Sequence, residues 1–189
     1  PTPYRNHLFE LLHEEGRCRG VRVEVWYQMP QEPGRPWRYL SDELTYPSRI
    51  WPGVSAWFFP RVRLWNPGML LSLACRKPWH VIVGGYTSPF ALGLSLLLRV
   101  SRVSASLWVE NCGEQHHSVL THWYKRFVVQ GFSSFVAPGL GARQYISSLL
   151  GESAAARARF IRLTNVVDAS CYRSIPSRRR DRDLRQRLR

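Results

Sequence analysis

Apolar and polar positions alternate along this chain in two rhythms, and the change from one to the other marks its elements. Tyr4, Leu8, Leu11 and Leu12 fall at i, i+4, i+7 and i+8, one face of a helix, with Gly16 placed to end it. VRVEVWY, Val21 to Tyr27, switches to a period of two and predicts a strand. From Met29 to Trp65 the chain is rich in proline and aromatics and poorly periodic. It predicts a long irregular excursion with a short strand near Val62 to Leu64. Leu70 to Arg76 predicts a helix, and HVIVGG then has the continuous apolar run of a strand buried on both faces.

The run VIVGGYTSPFALGLSLLLRV, Val81 to Val100, is apolar enough to raise the question of a membrane span. A span needs about 20 uninterrupted apolar residues. This run is broken by Gly84, Gly85, Tyr86, Thr87, Ser88 and Pro89. Ser88 and Pro89 are an N-cap and a first-turn proline, so the run predicts a strand, a turn and a helix buried nearly all round. The alternation then repeats. Strands are predicted at Ser104 to Glu110, in SSFVAPG and in RFIRLTNVVD. Helices are predicted at Ser118 to Gly131, with Val119, Trp123, Phe127 and Gln130 on one face, and in ARQYISSLLG, around Tyr145 and Leu149. Strand alternating with helix predicts an α/β fold, a Rossmann-like parallel sheet with helices on both faces.

Charge adds a tail to this picture. The 189 residues carry a net +14, from 25 Arg and only two lysines, Lys77 and Lys125, against 13 acidic residues. Residues 173–189 hold eight Arg and two Asp, so +6 of the +14 lies there. The division is a mildly basic domain over 1–172 and a basic linker over 173–189. Such a surface attracts nucleic acid, anionic lipid or phosphorylated substrates alike. Cys18, Cys75, Cys112 and Cys171 have neither zinc nor redox spacing and are expected as reduced, partly buried thiols of a cytoplasmic protein. The opening PTPYRNHLFELL has no initiating Met and no signal-peptide pattern, which predicts a start inside a longer reading frame.

In an open parallel sheet, ligands bind beyond the carboxyl ends of the strands. The turns expected there are Gly84 to Ser88, Glu110 to His117, Pro138 to Gly141 and Thr164 to Asp168. Gly84-Gly85 is no dinucleotide fingerprint, since no acidic residue follows at the expected interval, and such a pair commonly serves only the turn. Glu114, His116 and His117 suggest a metal, but adjacent histidines diverge on a helix and no third ligand is evident. No metal is assigned. No nucleophile paired with a base can be picked out.

The order of PTPYRNHLFELL, RPWRY, HVIVGGYTSP, LWVEN, VAPGLGARQYISSLLG and FIRLTNVVDASCY resembles the N-terminal, acceptor-side half of a family 4 glycosyltransferase of the GT-B fold. Thr164 stands where that family usually has proline, while Asn165, Val167 and Asp168 match. The resemblance covers Pro1 to about Tyr172. It implies a missing first strand, a missing C-terminal donor-binding domain, and a fragment inactive by itself. It also implies transfer of a hexose from a nucleotide-diphosphate sugar, with no cofactor, to a glycan, lipid-linked or polysaccharide hydroxyl. Tyr4, Arg5, Gly85, Tyr86, Thr87 and Ser88 are then expected to line the acceptor cleft. Glu110 and His116 are expected to orient or deprotonate the acceptor hydroxyl. A cytoplasmic location with peripheral contact at an anionic inner membrane face suits the basic, aromatic composition. Two other classes compete: a non-catalytic Rossmann-like subunit, and a basic nucleic-acid-binding module. The aromatics are not spaced as stacking positions on a sheet, so no specific nucleic acid is expected.

Overall fold

A computed structural model of the chain describes residues 5–30, 44–51, 53–55, 64–101, 103–110 and 118–163. The elements run α1 (Asn6–Cys18), β1 (Val25–Tyr27), β2 (Ser48–Ile50), β3 (Val54–Ser55), β4 (Leu64–Trp65), α2 (Pro67–Arg76), β5 (His80–Gly84), α3 (Pro89–Val100), β6 (Ser104–Trp108), α4 (Val119–Val129), β7 (Ser134–Ala137), α5 (Leu140–Leu150), α6 (Glu152–Arg157) and β8 (Arg159–Arg162). The fold is α/β and Rossmann-like, as the alternation predicted. Strands β5, β6, β7 and β8 pair in that order, all parallel. Strands β1 and β2 form a second parallel pair, and β3 and β4 a small antiparallel one.

Local chemistry starts the helices where the sequence placed them. The Ser88 hydroxyl accepts the Ala91 N–H at 3.4 Å with Pro89 in the first turn, and Ser118 accepts the Thr121 N–H at 3.3 Å. Because neighbouring strands follow one another in sequence, right-handed crossovers put α3, α4 and α5 on one face of the sheet. That face holds the main core, including Leu94, Leu107, Val128, Phe135, Ile146 and Leu149. Residues of opposite parity point the other way, where Leu8 of α1 packs on Trp108 and Val136. The α1 helix also meets the β1–β2 side of the molecule. The Tyr46 hydroxyl donates to Asn6 Oδ1 at 3.0 Å and lies 2.7 Å from that of Tyr27.

On that second face a polar ladder crosses the sheet. Ser134 donates to the Ala105 carbonyl at 3.2 Å, and its oxygen lies 2.7 Å from that of Ser106. Ser106 therefore donates to Ser134 and accepts from Nε2–H of His80 at 2.9 Å. This leaves Nδ1 of His80 to accept from Ser104 at 3.0 Å. Each donor finds an acceptor when the imidazole is neutral, and burial lowers the His80 pKa below 6.5.

Several expectations from periodicity are corrected. Strand β5 is not buried on both faces: Val83 is buried, but Ile82, on the opposite face of the sheet, is half-exposed. Helix α3 is not buried all round, since Val100 and Leu96 face outward. Helix α4 buries Lys125, Val128 and Val129 and turns Val119 and Trp123 to solvent, away from the core. Gly16 does not end α1. It lies inside the helix, where a Cβ would sit 2.7 Å from the Val21 carbonyl oxygen, so the returning chain requires its missing side chain. Leu11 and Leu12, grouped with Leu8 by period, are exposed. The thiols of Cys18 and Cys75 are exposed and unpaired. Trp51, within the excursion, belongs to the core. Among the described residues no helix is long and apolar enough to cross a membrane. The basic segment 173–189 and the motif around Asn165 lie outside the described residues.

Candidate functional site

Parallel strands end together, so β5 and β6 deliver their following residues to one rim of the sheet. Helix α1 starts at the same rim, and Arg5 reaches across it. Its Nη2 pairs with Glu110 Oε1, two residues past β6. The guanidinium lies over the Trp108 ring at 5.0 Å, and a Cβ on Gly84 would be 3.6 Å from Arg5 Nη1. Residues 105 positions apart thus form one unit: a cation stacked on an indole and paired to a carboxylate. Glu110 is 38% exposed in its side chain and Arg5 22%, so both can meet a ligand from solvent.

The turn after β5 is fixed beside this pair. The Gly85 N–H donates to the Trp108 carbonyl at 3.4 Å, and the Tyr124 hydroxyl to the Ser88 carbonyl at 2.7 Å. Gly85 has φ +94, a conformation that glycine alone adopts readily. Thr87 is exposed at the tip. The Ser88 hydroxyl is engaged as the α3 cap. Tyr86 is 4% exposed, so its side chain supports the turn from beneath.

Beneath the turn lies a cluster that sequence reading missed. Lys125 of α4 is buried, donates to the Tyr145 hydroxyl at 3.1 Å and faces the Tyr86 ring at 5.7 Å. Burial first, and the neighbouring Tyr145 hydroxyl second, push the Tyr86 pKa well above the ordinary phenol value. The cluster keeps a cation close under the 85–88 turn without exposing it. A lysine on the buried side of an amphipathic helix was the available signal, since α4 read in the right phase puts Lys125 beside Val128 and Val129.

Of the sequence-predicted residues, the structure brings together Arg5, Glu110 and the backbone of Gly85. Thr87 and Ser88 lie on the same turn, and Tyr86 lies below it. Tyr4 and His116 are outside the described residues, as are Glu114 and His117. Among the described residues no three His, Cys, Asp or Glu side chains gather as a metal ion would require. The arrangement can accept a hydrogen from a ligand hydroxyl at Glu110 and present the partly exposed Arg5 guanidinium to an anionic or polyhydroxylated ligand. Comparison of the chain with protein-family models, with curated proteins and with solved structures finds no match.

Proposed function

We propose that this chain forms the acceptor-side wall of a hexosyltransferase that moves a sugar from a nucleotide-diphosphate donor to a hydroxyl of a glycan, lipid-linked or polysaccharide acceptor. One observation carries the reading: the Glu110 carboxylate is held by Arg5 over Trp108, at the rim where the Gly85 turn ends its strand. A carboxylate fixed from one side keeps lone pairs free on the other, and an acceptor hydroxyl can be oriented by donating to them. Thr87 adds an exposed hydroxyl at the same rim. The charge that develops on a leaving diphosphate needs N–H groups and cations of its own. The reading assigns most of those to a donor-binding domain beyond this chain, and it places the protein at the cytoplasmic face of a membrane.

The product of the full reading frame is assayed for acceptor-dependent release of nucleoside diphosphate from UDP- and GDP-hexoses. Glu110→Gln removes the charge but keeps the shape, and kcat/KM is expected to drop at least about tenfold with an unchanged far-UV spectrum. His116→Ala is expected to do the same. A full-length protein that turns over none of the donors refutes the reading. Full activity in both variants would leave glycosyl transfer standing and remove these residues from the site.

A further inference from the structure

The serine–histidine ladder on the second face of the sheet has a direction, and it runs from the interior to solvent. Its buried end is fixed by a carbonyl, which can only accept. Ser134 therefore donates to Ala105, Ser106 to Ser134, and Nε2–H of His80 to Ser106. The imidazole is thereby held in one tautomer, with its lone pair on Nδ1. That lone pair meets the Ser104 hydroxyl at 3.0 Å. Ser106 and Ser134 are buried, whereas Ser104 is exposed. A hydroxyl in contact with a base, the base oriented through its other nitrogen by a third group, is the arrangement that activates a serine nucleophile. Burial lowers the His80 pKa below 6.5, so the imidazole is neutral at pH 7 and able to take a proton.

Two apolar side chains flank the pair. The Trp79 ring, 85% exposed, is centred 6.0 Å from the imidazole. Ile82, half-exposed, lies on the same face as His80, one strand period further on. His80 and Ser104 open their strands and are paired in register. They therefore lie at the amino end of the sheet, opposite the rim that carries Arg5 and Glu110.

We infer that Ser104 is a nucleophile that takes the acyl group from carboxylic esters with an apolar acyl chain. The Ser104 oxygen attacks the ester carbonyl carbon as its proton passes to Nδ1 of His80. The tetrahedral adduct collapses, the ester C–O bond breaks, and the leaving alcohol carries off the proton from Nδ1. Water then attacks the acylated Ser104. Nδ1 takes the proton of that water and returns it to the Ser104 oxygen as the carboxylic acid departs. Ser106 accepts from Nε2–H throughout and stabilises the imidazolium while it lasts. Trp79 and Ile82 give the acyl chain an apolar surface. No residue of this site belongs to the transferase rim, so the inference stands apart from that reading.

The test treats the full chain with p-nitrophenyl butyrate, follows nitrophenol release, and maps the acyl adduct by mass spectrometry of proteolytic peptides. The wild-type chain is expected to show a burst and an adduct on Ser104, with butyrate transferred faster than acetate. Ser104→Ala should carry no adduct at this position and lose the burst. His80→Gln should slow acylation at least about a hundredfold with an unchanged far-UV spectrum. If His80→Gln unfolds, Ser106→Ala serves, since it keeps the imidazole and frees it from its orienting partner, and it should slow acylation at least about tenfold. Acylation of other residues only, absence of any adduct, or labelling of Ser104 at the wild-type rate in folded His80→Gln or Ser106→Ala overturns the inference. Faster transfer of acetate than of butyrate overturns the assigned class of ester.

Discussion

Replacing Gly85 by alanine isolates one physical effect, because the site has room but not the right backbone. A Cβ added there would meet nothing within 4 Å, so no steric clash enters the balance. The φ of +94 lies in the region that L side chains avoid, and holding a non-glycine residue there costs about 1–3 kcal/mol. Alanine also restricts the unfolded chain, which returns about 0.4–1 kcal/mol to the folded state. The difference predicts that Gly85→Ala loses about 1–2 kcal/mol. For a chain of this size that lowers Tm by roughly 2–8 °C. Gly139 is the control. It too has open space, and its φ of −161 is ordinary extended backbone, but it is the N-cap of α5, where alanine is disfavoured, so Gly139→Ala should lose less than Gly85→Ala, by no more than about 1 kcal/mol. Urea unfolding followed by tryptophan fluorescence reads both variants. If Gly85→Ala is as stable as the wild type, or if Gly139→Ala loses as much, backbone strain is not what the turn requires. On the proposed transferase function, the same variant should lower acceptor turnover more than its stability loss explains, since the Gly85 turn borders Arg5 and Glu110.

Two further outcomes follow from packing and from titration. Gly131→Ala would place a Cβ 2.2 Å from Ser95 Oγ and 3.0 Å from its Cα, between α3 and the end of α4. Overpacking of that kind should cost about 1–3 kcal/mol, and a urea midpoint equal to the wild type would show that the two helices separate freely. His80 has a folded pKa below 6.5, so its neutral form is the one favoured by folding. Its contribution is fully present above pH 6.5 and is lost as pH falls through the lowered folded value. His80→Asn should flatten the fall in stability between pH 7.5 and pH 5.5, and an unchanged pH slope in urea titrations would exclude the Ser104–Ser106–Ser134 ladder as its source.

The alternation of strand and helix was legible because it rests on local physics: caps, first-turn prolines and apolar runs of strand length act over a few residues. Ser88 and Ser118 cap their helices through N–H groups three residues on, within reach of local sequence. Glu110 was legible as a strand-end carboxylate, since a parallel sheet fixes which end carries ligands. The sequence alone did not decide which side of each element meets the core. Helix α4 offers an apolar stripe through Val119, Trp123 and Phe127, and a second through Lys125, Val128 and Val129. Only the packing against α3 and α5 selects the second. Strand β5 is apolar enough for burial on both faces, and only the packing over each face of the sheet decides that Val83 is buried and Ile82 is not. The Arg5–Glu110 pair and the Lys125–Tyr145 contact join residues far apart in the chain. Their electrostatic and hydrogen-bonding energies depend on distances that tertiary folding sets.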